Sequence, residues 1–448
     1  MNQRGRIVLK SSQTGEMSPE DGIVLGRALA ADHDRVVVAR DPMRSSSMMA
    51  DAVISGLLSQ GADVIDLGVV GIPVAASRSD LGDCLVYVAA RPGMISGYFL
   101  VNPDGSLFRD DQIRHLEVVL QNPPPAPDHD GLGEYSIRDG AAEEYNAKVE
   151  SMFEGGAGCS VVVDCRCGCG AHSVPQILNA LGADVLAVNA QWDEDFHPLP
   201  TADDDSLEGL KRLVGATPGS IGIGINPVGT AVDVVDEQGD VIPMDRVFAL
   251  LVLYMRPATI AITADAPSVI EDALRGRIDV EVNTPFEEPP ERSAVMTQDS
   301  AAAICEAVAS GADLGYYHGS IVFGGGAAIG DGVRTAAAIA KMAGGNSLHS
   351  VTEKLPSYIR DSRTYECQMR PDVFRRAVEE NLGSVAERSS QYGSEFRVSM
   401  DGGWFLVRLR QDGEEQVVET IAESQDMAYV IGLMEMADEL VQRVLRAE

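Results

Sequence analysis

The sequence predicts an α/β protein: three consecutive α/β domains with mixed or parallel sheets, followed by a C-terminal α+β domain. Three observations lead to this prediction. The length of 448 residues corresponds to about three domains of ordinary size, with a range of two to four. Strand-like and helix-like segments alternate over most of the chain, which is typical of parallel sheets covered by helices. After about residue 355, several strands follow one another between two helices, which favours an antiparallel sheet.

The first segment predicts a capped helix and then a β-α-β unit. Ser18 can cap a helix at 18–31, and acidic side chains follow near the positive end of its dipole. A strand at 36–39 precedes a helix at 47–59, and a second strand follows at 63–67. This order predicts that the two strands pair in parallel.

The stretch 86–108 is built around a loop of small residues. A β-rich run at 86–88 enters this loop, and an apolar run leads out of it to a turn at 102–105. A helix at 110–120 follows, and then the proline-rich, acidic stretch 121–133. This composition predicts the first domain boundary.

The α/β pattern repeats twice more before the last segment. Residues 159–245 form one repeat and residues 246–345 the next, which includes a strand at 259–264 and an apolar run at 280–285. We therefore predict four domains, at residues 1–133, 134–243, 244–354 and 355–448. In the last domain we expect helices at 372–380 and 424–446 and strands at 395–400, 404–410 and 416–421.

The charge of the chain indicates its surroundings. The net charge is −33, and only five of the 35 basic residues are lysines. Such an acidic surface repels itself unless salt screens it, so we expect a salt-rich cytoplasm, as in halophilic archaea. An acidic protein of an ordinary cytoplasm is the alternative. In either case nucleic acid is a poor partner.

The chain carries no pattern for a membrane. No apolar run reaches about 18 residues, so no spanning helix is expected. The N-terminus has no long apolar region of the kind found in signal peptides. We therefore expect a cytoplasmic location and no membrane partner.

Four of the seven cysteines lie close together in the sequence, at Cys159, Cys165, Cys167 and Cys169. Zinc binding is one interpretation. However, the spacing differs from paired C-x2-C knuckles, and alternating cysteines on an extended loop point to opposite sides. We favour small packing residues. The glycines at Gly168 and Gly170 could admit a phosphate beside a helix, although a tight turn explains them equally well.

Several short segments resemble one known family. Residues 64–68 read V-I-D-L-G, residues 103–105 read P-D-G and residues 235–239 read V-D-E-Q-G. These segments are similar to the V-I-D-L-G, P-D-G and V-D-E-x-G of the phosphohexomutases, the phosphoglucomutase/phosphomannomutase family. The resemblance covers nearly the whole chain in the family's order, and it implies the family's four-domain architecture.

The resemblance also shows what this chain lacks. Aligned without a gap, the family's T-A-S-H-N-P loop places Ala89 at the phosphorylated serine and Phe99 at a lysine. The family's D-x-D-x-D metal loop falls on Asn226, Val228 and Thr230. The family transfers a phosphoryl group through its serine, while three carboxylates hold Mg²⁺. The resemblance therefore implies that no catalytic residue is intact, that Mg²⁺ binding is lost and that no cofactor is expected.

Five residues remain as candidates for ligand binding. Arg91 lies in the first loop. His318 and Ser320 fall in the family's sugar loop, where His318 could contact a ligand or be an ordinary loop residue. Arg408 matches the arginine of the family's phosphate loop, and Arg410 shares its strand face. This pair could clamp an anion or be exposed structural arginines.

These observations leave three hypotheses. The first is a non-catalytic relative that binds a sugar phosphate, regulates, or assembles with an active mutase or with itself. The second is an active phosphohexomutase with rearranged loops, using Ser96 as its nucleophile. The third is a different enzyme on the same scaffold, using Arg91, His318 or the cysteine cluster.

Overall fold

The computed structural model describes residues 6–7, 18–89, 97–122, 124–125, 127–153, 155–193, 205–412 and 415–446. Within these ranges, four β-sheets follow one another along the chain, with six, five, four and five strands. We name them sheets I to IV. Sheets I to III mix parallel and antiparallel strands and alternate with helices, whereas sheet IV is antiparallel throughout. The predicted fold class is thereby confirmed.

Sheet I has the strand order β1-β5-β4-β2-β3-β6, in which β2, β3, β4 and β6 run parallel and β1 and β5 border β4 in antiparallel pairs. The elements are β1 (Arg6–Ile7), α1 (Pro19–Leu29), β2 (Arg35–Arg40), α2 (Arg44–Gln60), β3 (Asp63–Val69), α3 (Ile72–Ala76), β4 (Cys84–Ala89), β5 (Gly97–Val101), α4 (Asp110–Gln121) and β6 (Tyr135–Ile137). The predicted parallel pair is therefore present as β2 and β3.

Two local features of sheet I follow directly from the sequence. Ser18 caps α1 as expected, since its side chain accepts from the Asp21 N–H while the Asp21 carboxylate accepts from the Ser18 N–H. Helices α1 and α2 cross at Gly26 and Gly56. A Cβ atom at either glycine would lie 2.3 Å from a carbonyl oxygen of the other helix, so glycine permits this close packing.

Sheet II has the order β11-β10-β9-β7-β8, and its central strands β7, β8 and β9 are parallel. Its elements are α5 (Ala141–Ser151), β7 (Ser160–Asp164), α6 (Val174–Ala180), β8 (Asp184–Val188), α7 (Asp205–Ala216), β9 (Ser220–Ile225), β10 (Val232–Val235) and β11 (Val241–Ile242). Strand β6 extends sheet I past residue 133, because the Val64 N–H donates to the Glu134 carbonyl and Asp63 accepts from the Glu134 N–H. The predicted boundary at 133 therefore falls just before the last strand of sheet I.

Sheet III has the order β13-β12-β14-β15, with β12 parallel to both β13 and β14. Its elements are α8 (Met244–Met255), β12 (Thr259–Thr263), α9 (Ser268–Leu274), β13 (Ser293–Thr297), α10 (Ala301–Ala309), β14 (Leu314–Tyr317), β15 (Ser320–Phe323), α11 (Gly332–Ala343) and α12 (Leu348–Glu353). The apolar run at 280–285 is irregular, and β13 takes the place beside β12 instead.

Sheet IV has the order β16-β20-β19-β18-β17. Its elements are β16 (Ile359–Glu366), α13 (Pro371–Asn381), β17 (Ser389–Tyr392), β18 (Glu395–Met400), β19 (Gly403–Asp412), β20 (Glu415–Ser424) and α14 (Met427–Arg446). Among the described residues, no helix is long and apolar enough to cross a membrane.

The hydrophobic core divides the molecule into two parts. One continuous apolar cluster extends through sheets I, II and III, whereas sheet IV packs its own core against α13 and α14. A small cluster of Ala264, Trp404, Leu406 and Ile421 joins sheet III to sheet IV. Sheet IV is thus attached to sheet III through a narrow apolar contact, and polar side chains complete that junction.

Candidate functional site

Six of the sequence-predicted positions line one small cavity where sheets I, II and III meet. Its volume is about 160 Å³ and its lining is mostly apolar. The six positions are Ala89, Phe99, Asn226, Val228, Thr230 and Ser320. The structure therefore brings together the positions that the resemblance assigned to the nucleophile, the lysine, the metal ligands and the sugar contact.

Strand ends place these residues at the cavity. Ala89 is the last residue of β4, is fully buried, and pairs with Gly97 of β5. Phe99 lies farther along β5, and its ring meets that of Tyr87 edge to face at 6.4 Å. A methyl group and a phenyl ring thus occupy positions at which phosphoryl transfer would need a nucleophile and a cation.

The rest of the lining was not found by sequence reasoning. It comes from α3, α10 and β15, which are distant in the chain and meet only in the folded molecule. These residues are mainly apolar and include Ile72, Leu107, Cys305, Val322 and Ile329. An apolar cavity of this size favours neither water nor a hydrated ion.

The loop at 226–230, where the family has its metal ligands, joins the three sheets through its backbone. Four successive carbonyl groups of this loop accept hydrogen bonds. The pairs are Cys169 N–H to Pro227 O at 2.9 Å, Ile72 N–H to Val228 O at 2.9 Å, Gly332 N–H to Gly229 O at 2.9 Å, and Ser320 Oγ to Thr230 O at 3.1 Å. The loop therefore acts as a structural junction between sheets I, II and III.

The two polar side chains of this loop bind each other. The Asn226 Nδ2 donates to Thr230 Oγ1 at 2.9 Å, and the Thr230 N–H donates to Asn226 Oδ1 at 2.7 Å. Val228 lies between them and offers no oxygen ligand. A hard cation such as Mg²⁺ prefers several carboxylate oxygens, and this loop supplies none.

The acidic residues that follow the loop have partners elsewhere. Asp233 accepts from Arg166 at 2.6 Å. Asp236 accepts the N–H groups of Gln238 and Asp240 within its own turn, and its other oxygen lies 2.9 Å from His349 Nδ1. These carboxylates stabilise turns and contacts between elements, as strand-end residues often do.

His318 lies at the junction between sheets III and IV. It occupies a two-residue hairpin turn between β14 and β15, and its φ of 41° belongs to the left-handed region used by such turns. Its Nε2 atom lies 2.7 Å from Asp299 Oδ1. This hydrogen bond is the largest cause of a raised pKa for His318. Sequence reasoning identified no partner for His318, and the structure supplies one.

Arg408 is buried in a cluster of carboxylates. Its Nε donates to Glu419 at 2.7 Å, and its Nη1 donates to Asp299 at 2.9 Å and to Asp265 at 3.2 Å. The three carboxylates raise the pKa of Arg408 despite its burial, which acts in the opposite direction. Arg410 shares this cluster, with its Nε 3.1 Å from Glu419. Both arginines are therefore engaged with acidic groups of the protein.

A polar cavity of about 540 Å³ opens beside this cluster, between sheets III and IV. Its lining includes His318 and Arg408 but not Ser320, whose hydroxyl donates to the Thr230 carbonyl. The ligand candidates from the sequence thus divide between two cavities. Arg91 and the alternative nucleophile Ser96 lie outside the described residues.

The cysteine cluster is spread over several contacts. Cys165, Cys167 and Cys169 are buried and Cys159 is half-buried. Cys159 donates to the Ala340 carbonyl at 3.2 Å, and Cys169 Sγ lies 3.8 Å from the Tyr87 hydroxyl. Burial raises the pKa of Cys165 to about 12 and that of Cys159 to about 11. Protonated, separately engaged thiols are typical of packing residues.

The acidic partners of Arg408 and His318 were missed by sequence reasoning. Asp265 and Asp299 each follow a parallel strand of sheet III by two residues. Polar residues just past the carboxyl ends of parallel strands are typical of binding sites in α/β proteins, and this signal could have identified them.

Comparison with solved structures defines the class of protein. A phosphoglucomutase/phosphomannomutase family protein from Burkholderia thailandensis superposes with a TM-score of 0.80 at 20% identity, covering 99% of this chain and 97% of that one. A phosphomannomutase structure from Thermus thermophilus, titled putative, gives 0.73 at 17% identity, covering 98% of both chains. The fold is therefore that of the phosphohexomutases.

Comparison with sequences gives the family. A model of the phosphoglucomutase/phosphomannomutase α/β/α domain I matches residues 9–123. A probable phosphoglucosamine mutase of Methanopyrus kandleri is 30% identical over 469 residues, covering 99% of this chain and 96% of that protein. A probable phosphoglucosamine mutase of Methanococcoides burtonii is 28% identical and covers 96% of both. The chain belongs to the phosphoglucomutase/phosphomannomutase family.

Proposed function

We propose that this protein is a phosphohexomutase relative that has lost phosphoryl transfer and acts by assembly, with an active phosphohexomutase or with a second copy of itself. One observation carries the proposal. Ala89, Phe99, Asn226, Val228 and Thr230 together line a small, mostly apolar cavity. A site for phosphoryl transfer instead needs a nucleophile and positive charge at this place.

The metal loop supports the same conclusion. The oxygen atoms of Asn226 and Thr230 already accept hydrogen bonds from each other's groups, and three carbonyl groups of the loop join neighbouring elements. An ion bound here would have to break these contacts and would meet no carboxylate. The residues do not fit Mg²⁺, and we infer that the protein needs no metal at this loop.

Binding of a sugar phosphate receives less support than assembly. Arg408 and Arg410 share Glu419, and Arg408 also contacts Asp265 and Asp299. A phosphate would have to displace these carboxylates from the arginines and would be repelled by them. We therefore expect at most weak binding of sugar phosphates, and we place the main role in protein contacts. The high negative charge leads us to expect that the protein is most stable in a salt-rich cytoplasm.

A mutase assay tests the proposal. Purified protein at high salt is given Mg²⁺, a hexose 1,6-bisphosphate activator and, in separate reactions, glucose, mannose or glucosamine 1-phosphate. We expect no turnover above the background of an Ala89→Ser variant. Turnover that disappears in Ser96→Ala would contradict the proposal and would establish the alternative active site with rearranged loops. Turnover that survives Ser96→Ala would instead indicate different chemistry on this scaffold.

The assembly role has its own measurement. Light scattering coupled to size-exclusion chromatography gives the mass of the protein alone and after mixing with an active phosphohexomutase from the same source. A stable dimer or a stable mixed complex is the expected result. A monomer in both experiments would contradict assembly and leave only the loss of catalysis.

A further inference from the structure

We propose that Asp265, Asp299 and His318 form a binding site for one divalent transition-metal ion, such as Zn²⁺ or Mn²⁺, between sheets III and IV. The site lies apart from the family's metal loop at 226–230. It is independent of the lost phosphoryl transfer, so either proposal can fail without the other.

The topology of sheet III brings the three side chains together. Asp265 follows β12, Asp299 follows β13 and His318 follows β14. These strands are parallel neighbours in the order β13-β12-β14, so their carboxyl ends meet at one edge of the sheet. In α/β proteins this edge is where ligands bind.

The geometry suits one ion. One potential ligand atom from each of the three residues lies within 4.8 Å of the other two. A metal ion with bonds of about 2.1 Å needs ligand atoms about 3 to 3.5 Å apart. His318 is half exposed, so its ring can turn by the small amount that separates its Nε2 from Asp299 Oδ1, now 2.7 Å away.

Asp265 supplies the observation that points to a missing ligand. Its side chain is only 6% exposed and it lines the polar cavity. Its Oδ2 faces Arg408, while its Oδ1 is buried without a hydrogen-bond partner among the described residues. A buried carboxylate oxygen without a partner is costly, and a cation would satisfy it.

Arg408 leaves room for this ion. It donates to the Oδ2 atoms of both Asp265 and Asp299, whereas the Oδ1 atom of Asp299 faces His318 and the Oδ1 atom of Asp265 has no partner. Each carboxylate can thus bind the guanidinium with one oxygen and the metal with the other. Hydrogen bonds of this kind to metal-binding carboxylates are common and fix their orientation.

The charge of the cavity favours a dication. Four carboxylates and two guanidinium groups line it, which leaves an excess of two negative charges. The carboxylates are those of Asp245, Asp265, Asp361 and Glu419, and the guanidinium groups are those of Arg360 and Arg408. The imidazole nitrogen of His318 selects transition-metal ions over Mg²⁺ and Ca²⁺, which prefer oxygen ligands.

Titration of chelator-treated protein with CoCl₂ and ZnCl₂ tests the site. We expect one ion per chain, with a visible Co²⁺ absorption that Zn²⁺ displaces and that MgCl₂ at the same concentration leaves unchanged. His318→Gln, which changes an exposed side chain, should weaken binding at least tenfold, and Asp265→Asn should do the same. Circular dichroism confirms that each variant is folded.

Two matched variants serve as controls. His349→Gln alters the other described set of potential metal ligands, which contains Asp236, Asp240 and His349, and His115→Gln alters an exposed histidine that pairs with a single carboxylate, that of Asp32. Both should bind Co²⁺ like the wild type. The proposal is overturned if the wild type binds no ion, if folded His318→Gln and Asp265→Asn bind it unchanged, or if His349→Gln abolishes binding while His318→Gln does not.

Discussion

Asn226 and Thr230 hydrogen-bond to each other twice across a five-residue loop, from side-chain amide to hydroxyl at 2.9 Å and from backbone N–H to side-chain carbonyl at 2.7 Å. In the phosphohexomutase family this loop carries carboxylates for Mg²⁺. Here the same positions close the loop on itself, and its carbonyl groups hold sheets I, II and III together. A loop of this kind contributes to stability rather than to chemistry.

Removal of the Thr230 hydroxyl should therefore destabilise the fold. In Thr230→Val the amide of Asn226 loses its acceptor, and we expect a loss of about 1 to 2 kcal/mol in the free energy of unfolding. Thr230→Ser keeps the hydroxyl and should lose clearly less. Urea unfolding at a fixed high salt concentration measures both variants. Equal losses in the two variants would contradict the structural role of this hydrogen bond.

The cavity at the former active site should accept a larger side chain. Cys305 lines it, so Cys305→Leu should fill empty space and leave the stability unchanged or raise it by up to about 1 kcal/mol. Cys84 is fully buried within the packed core of sheet I, and Cys84→Leu should cost about 1 to 3 kcal/mol through overpacking. Thermal unfolding of the two variants makes the comparison. If Cys305→Leu is destabilised as much as Cys84→Leu, the site is not an open apolar cavity.

Arg408 should be essential for the attachment of sheet IV. Arg408→Met removes the cation shared by Asp265, Asp299 and Glu419 and leaves buried carboxylates unpaired, at an expected cost of about 3 to 5 kcal/mol. Arg410→Met changes a more exposed arginine of the same strand and should cost about 1 kcal/mol or less. Limited proteolysis near residue 355, together with urea unfolding, reports the detachment of sheet IV. Similar losses in both variants would show that the burial of Arg408 does not matter.

Local signals predicted much of the fold. The Ser18 cap, the parallel order of β2 and β3 and the antiparallel character of sheet IV depend on neighbouring residues or on short periodic patterns, which the sequence displays directly. Strand β13 was missed because it is a short edge strand with few large apolar residues. The run at 280–285 was more apolar, yet Val280 and Val282 pack on the core without joining a sheet.

The candidate site was predictable only in part. The family resemblance identified Ala89, Phe99 and the loop at 226–230, and the structure brings these positions together. The carboxylate partners of Arg408 could not be inferred, because Asp265 and Asp299 lie more than a hundred residues before it in the chain. Their contact depends on how sheet IV packs against sheet III, and no local sequence pattern encodes that packing.

The central claim is that this family member cannot carry a phosphoryl group, and a mass measurement tests it most directly. The protein is incubated at high salt with Mg²⁺ and a hexose 1,6-bisphosphate, and its intact mass is determined before and after. An active phosphohexomutase treated in parallel gains the mass of one phosphoryl group. We predict an unchanged mass for this protein. A stoichiometric gain, mapped by fragmentation to Ser96 or to any other residue, would contradict the account.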